Sequence, residues 1–128
     1  MKKFLFLLLA VMMLTACGQD KEKDREAVYV NITAEEAKQI MDSEEGYIIL
    51  DVRTQEEYDQ GHIPGATQIS HEEIAEKAEE VLMDKDQLIL VYCRSRRRSK
   101  IAAEALVELG YTNIKEFGGI IDWPYETE

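Results

Sequence analysis

Cys93 stands directly after the apolar run Leu88-Ile89-Leu90-Val91-Tyr92 and directly before Arg94-Ser95-Arg96-Arg97-Arg98-Ser99. A thiolate is the nucleophilic form of cysteine, and cationic neighbours and the N–H groups of a helix N-terminus favour it over the thiol. Four arginines this close make burial of Cys93 in an apolar pocket implausible. With Lys100 they form one positive pocket in a chain of formal net charge −11, with 15 basic and 26 acidic residues. Small inorganic anions are drawn to such a pocket. A chain this acidic is a poor partner for nucleic acid, whose phosphates require a basic face.

The elements around Cys93 are those of an α/β sheet. Residues 47–52 (YIILDV) and 88–92 (LILVY) read as continuous apolar strands, buried on both faces as in a parallel sheet. Shorter strands are expected at 28–32, 66–69 and 114–117. Between them the spacing predicts helices over 33–43, from Thr54 to the stop at Gly61, from Ser70 to about Met83, and over 99–109 with Gly110 closing the last. Thr33 with Glu36, Thr54 with Glu57, and Ser70 with Glu73 each have the spacing of a capping box. Gly118-Gly119 reads as a turn after the last strand. Strands and helices in this alternation give an open parallel sheet of about five strands with helices on both faces. Cys93 then falls at the C-terminal end of a central strand, where such sheets bind ligands. The short loop from Cys93 into the following helix turns backbone N–H groups inward as an anion cradle.

Three motifs resemble those of the single-domain rhodaneses, the thiosulfate or persulfide sulfurtransferases. They are Asp51-Val52-Arg53 with Glu57-Tyr58 and Gly61-His62-Ile63-Pro64-Gly65-Ala66, the loop from Tyr92 to Ser99, and Gly118-Gly119 with Trp123. The resemblance implies a rhodanese-like sheet and a ping-pong transfer. Cys93 would take a sulfane sulfur from a small sulfur-containing anion, hold it as a persulfide, and yield it to a thiol or cyanide acceptor. Arg94, Ser95, Arg96, Arg97, Arg98 and Ser99 would bind the donor, with Arg94 and Arg98 as its side-chain anion contacts. Asp51, Arg53, Glu57 and His62 would be structural supports, with Arg53 pairing to Glu57 and His62 a hydrogen-bonding strut. His71 is expected in solvent, and Trp123 in the core or at its rim. The family's common loop has glycine where this chain has Arg96. Phosphatases and arsenate reductases of the same architecture place an arginine six positions after the cysteine, where this chain has Ser99. They remain the enzymatic alternative, and a rhodanese-like binding module without turnover is the other. No metal or other cofactor is called for, since two histidines and Cys93, widely scattered, lack ligand spacing.

The chain has 128 residues, enough for one domain. Its start carries no part of that domain. Lys2 and Lys3 precede an apolar run over residues 4–14, too short to span a bilayer and suited to a signal peptide. Leu14-Thr15-Ala16-Cys17 resembles the lipobox of bacterial lipoproteins, which implies cleavage after residue 16 and a diacylglycerol on Cys17. The remaining chain would have 13 basic and 26 acidic residues, a net charge of −13. A charged linker over 17–26 would join the anchor to a domain over 27–128, held by its lipid on the outer face of a bacterial membrane. Cys93 would then be the only free thiol, without an internal disulfide partner.

Overall fold

The structure is a computed structural model that describes residues 28–128. The expected signal peptide, Cys17 lipidation site and linker lie outside the described residues. In chain order the domain runs β1 (Val30–Asn31), α1 (Ala34–Ser43), β2 (Ile48–Asp51), α2 (Gln55–Asp59), β3 (Thr67–Gln68), a 3₁₀ turn (His71–Glu73), α3 (Ile74–Val81), β4 (Ile89–Cys93), α4 (Arg97–Glu108), β5 (Ile114–Gly119) and a final 3₁₀ turn (Ile120–Asp122). The five strands form one sheet in the order β1-β5-β4-β2-β3. Every pairing is parallel, as the sequence predicts.

Side-chain alternation along the central strands divides the core between the two faces. Ile89, Val91 and Cys93 of β4 join Leu50 of β2 and Ile114 of β5 against Ile74 and Ala78 of α3 and Ala102, Ala103 and Leu106 of α4. Leu90 and Tyr92 point the other way, with Ile49, Ile63, Phe117 and Trp123, against Ala37 of α1. Two neighbouring residues of one strand, Tyr92 and Cys93, thus serve opposite faces. Trp123 is 9% exposed, a rim aromatic as expected.

Two of the three capping boxes form. Thr33 and Thr54 each accept the N–H of the residue three ahead, while the Glu36 and Glu57 carboxylates accept the N–H groups of Thr33 and Thr54. The third does not. Ser70 Oγ lies 3.4 Å from the Arg53 carbonyl and accepts from Gln68 Nε2 at 3.2 Å, so its side chain caps no helix. The segment turns first as 3₁₀ over His71–Glu73, and α3 begins at Ile74 and ends at Val81. Gly118 and Gly119 also differ from expectation. They continue β5, and the β4–β5 register shifts between Val91 and Cys93 so that Cys93 faces Gly119. A Cβ on Gly119 would run into the Arg94 carbonyl, so this close approach of strand and loop requires glycine.

Candidate active site

Cys93 ends β4, and its side chain is fully buried, contrary to the expectation drawn from its arginine neighbours. Strand alternation sends the thiol inward while Arg94, Arg96 and Arg97 leave the loop outward and are exposed. The loop backbone folds over the sulfur. Arg96 N–H donates to Cys93 Sγ at 3.0 Å, and Sγ lies 3.4 Å from Ser99 Oγ as a donor. Helix α4 starts at Arg97, two residues earlier than expected, so the N–H groups of Arg97, Arg98 and Ser99 form its first turn. Such groups have no partner within a helix.

Arg96 makes this turn at φ 88°, left-handed backbone that L side chains rarely adopt. The chain keeps an arginine in backbone that ordinarily favours glycine. The Arg96 guanidinium lies along Gly118, whose missing side chain gives it room.

The loop is braced from two sides. On one, Arg98 is clamped to Glu57 by two hydrogen bonds, Nη1 to Oε1 at 2.8 Å and Nη2 to Oε2 at 3.0 Å. The Arg98 guanidinium, together with donors from Thr54, holds the Glu57 carboxyl down at about 2 against an ordinary 4.5. Glu57 therefore does not pair with Arg53. Arg53 reaches Asp51 instead, with Nε to Oδ1 at 2.9 Å and Nη2 to Oδ2 at 2.6 Å, while Glu57 is occupied by Arg98. Arg53 Nη2 also donates to the Gly61 carbonyl at 2.8 Å. Tyr92 completes this cluster. Its hydroxyl donates to Asp51 Oδ2 at 2.5 Å and accepts Ile63 N–H at 3.1 Å, and burial foremost, with Asp51 second, raises its pKa. His62 Nδ1 lies 2.9 Å from the Tyr58 carbonyl, and its ring stacks on Tyr58 at 3.8 Å.

On the other side lies Glu116, which the sequence reading did not single out. It is fully buried on β5. Oε1 accepts Asn31 Nδ2 at 2.7 Å, and Oε2 accepts Gly118 N–H at 3.0 Å and the Ser99 hydroxyl. The signal was available: with Ile114 facing the core, alternation puts Glu116 on the same face, an acid where an apolar residue is the rule.

A shallow cleft of about 370 Å³ opens beside the loop, lined by Arg53, Glu57, Gly61, Arg94 and Ile120. Arg94 is the loop arginine that faces it. Arg98, held by Glu57, braces the loop. Arg97 and Ser95 are exposed on its rim.

Residues 33–124 match the family profile described as a Rhodanese-like domain. The chain is 40% identical over 73 residues to the thiosulfate sulfurtransferase PspE of Escherichia coli, covering 57% of this chain and 70% of PspE. It is 36% identical over 112 residues to a Bacillus subtilis protein provisionally named sulfur carrier protein YrkF, covering 87% of this chain but only 60% of YrkF. A solved structure described as rhodanese with anions from E. coli superposes with a TM-score of 0.60 at 35% identity, over 64% of this chain and 96% of that one. With the five-stranded parallel sheet and a cysteine loop at the end of its central strand, these matches lead to one conclusion: the chain belongs to the rhodanese-like domain family.

Proposed function

We propose that this protein is a rhodanese-type sulfurtransferase in which Cys93 carries the transferred sulfur as a persulfide. The observation that carries the reading is the position of Sγ. It sits at the end of the central strand, under a loop whose Arg96 N–H donates to it at 3.0 Å, at the first turn of α4. In the first half-reaction the Cys93 thiolate attacks the outer sulfur of thiosulfate. The sulfur–sulfur bond breaks, sulfite leaves with its electron pair, and the new bond makes Cys93 persulfide. In the second, an acceptor thiolate or cyanide attacks the outer sulfur and the Cys93 thiolate departs. Loop N–H groups stabilise the anionic sulfur in both halves, and Arg94 in the cleft draws the donor.

The side chains favour sulfur transfer over phosphate or arsenate chemistry. Ser99 stands where an oxyanion-clamping arginine would be, and Arg98 already spends both of its parallel donors on Glu57. The export signal and the lipid on Cys17 belong to the same proposal, with the domain working on the outer face of a membrane.

The test is intact mass of the reduced full chain in detergent after mixing with thiosulfate. A gain of one sulfur atom that is absent in Cys93→Ser and reversed by an added thiol is the expected result. No gain from thiosulfate or from glutathione persulfide overturns the reading.

A further inference from the structure

Glu116 has no part in the transfer chemistry above, yet it is a fully buried carboxylate two contacts from the nucleophile. Its partners are all neutral: the Asn31 amide, the Gly118 N–H and the Ser99 hydroxyl. Among the described residues no cation pairs with it. A fully buried carboxylate without a counter-charge is a costly group to place in a core, and here a single hydroxyl links it to the thiol.

We propose that Glu116 is the proton acceptor for Cys93, acting through Ser99. This rests on reading Cys93 as the nucleophile. Ser99 Oγ lies 3.4 Å from Cys93 Sγ, from which it accepts, and donates its single proton to Glu116 Oε2. Ser99 Oγ is also 3.0 Å from the Arg96 carbonyl, but the Glu116 contact is the shorter of the two. In the transfer, the Cys93 S–H bond breaks and its proton passes to Ser99 Oγ as the Ser99 O–H proton passes to Glu116 Oε2. A thiolate and a neutral carboxylic acid result, Ser99 is regenerated, and no proton is exchanged with solvent. Two like charges in a low-dielectric site repel strongly, so sharing one proton keeps the cluster at a single negative charge.

Other titratable and charged groups face this cluster. From the segment leading into β1 comes Tyr29, whose pKa is raised by burial and then by Glu104 and Glu116. From α4 come Glu104, which acts on Tyr29, and Arg98, whose pKa is raised first by Glu57 and further by the charge of Cys93, and from the loop comes the Arg96 guanidinium along Gly118. Glu116 is a positioning residue in this scheme, because it reaches the sulfur only through Ser99.

The relay has a signature that a structural carboxylate lacks. When two sites share one proton, the thiolate fraction between their two macroscopic pKa values is set inside the protein and does not follow pH. An ordinary thiol instead gains thiolate about tenfold per pH unit below its pKa. The experiment is the rate of Cys93 alkylation by iodoacetamide, read at the Cys93 peptide by mass spectrometry. It uses the reduced full chain in detergent, across the neutral range. Wild type is expected to give a nearly flat profile. Glu116→Gln and Ser99→Ala should each restore the rise with pH, and combining them should add nothing. Ser99→Ala carries the test if Glu116→Gln fails to fold. A flat profile in the variants, a rising profile in wild type, or a wild-type Cys93 that is inert at every pH would each overturn the relay. A flat wild-type profile in a chain that gains no sulfur would support the relay while overturning the transfer reaction.

Discussion

Two buried carboxylates flank the end of β4, and they are held in opposite ways. Asp51, at the end of β2, accepts a guanidinium through two of its donors, a phenol and a backbone N–H. Glu116, on β5, accepts an amide, a hydroxyl and a backbone N–H, all neutral. Both are 0% exposed. The first carboxylate meets its counter-charge directly, in the Arg53 guanidinium. The second is satisfied in geometry, but none of its partners carries a counter-charge. Cys93 lies on the side of Glu116, and Tyr92 on the side of Asp51.

The largest effect that would test this contrast is on stability. Asp51→Asn strands the Arg53 guanidinium, 5% exposed, without a counter-charge. It should cost about 3–5 kcal/mol in urea unfolding. Glu116→Gln strands no charge and should cost about 1–3 kcal/mol through its altered hydrogen bonds. Equal losses in the two variants would break the distinction.

A smaller effect concerns the loop itself. Arg96→Gly removes a side chain from left-handed backbone and should stabilise the folded state by about 1 kcal/mol in the same assay. Destabilisation would mean that the Arg96 contact along Gly118 outweighs the strain.

The smallest effect sharpens the contrast at a third carboxylate, Glu57, whose side chain is 27% exposed. Arg98→Ala should lose under about 1 kcal/mol near neutrality, because its pair with Glu57 is partly screened. Glu57 is depressed from 4.5 to about 2 on folding, so its contribution is complete above pH 4.5 and fades as pH falls towards 2. Arg98→Ala should therefore remove part of the wild-type stability loss in that acidic window. Unfolding midpoints measured at pH 5 and pH 3 for both proteins check it.

Much of this arrangement was legible in the chain. Continuous apolar runs mark β2 and β4 because parallel strands are covered on both faces, and the two threonine capping boxes mark α1 and α2 by local chemistry alone. The Ser70 cap failed where tertiary contact competed, its hydroxyl taken up beside Gln68 and the Arg53 carbonyl. Burial of Cys93 was misjudged because neighbours in sequence point to opposite sides of a strand and loop, so the charge of adjacent arginines says little about the thiol. Arg53 and Glu57 were both singled out, but their partners were not. Pairing Glu57 with Arg98 depends on bringing α2 against the start of α4, which spacing along the chain does not report. Glu116 shows the reverse case: the pattern contained it, as an acid in step with Ile114, and only its partners reveal its use.

The division of labour at the end of β4 comes down to parity. Cys93 and Tyr92 differ by one position, and that single step decides which of them lies beneath the loop and which lies against Ile63 and Asp51. A one-residue insertion or deletion within Ile89–Cys93 would exchange thiol and phenol between the faces, disarming the loop and unbuckling the strut together. The same change in the exposed turn at residues 84–87 leaves the count within the strand intact. Length variation among proteins built on this plan should therefore be found before β4 and not inside it.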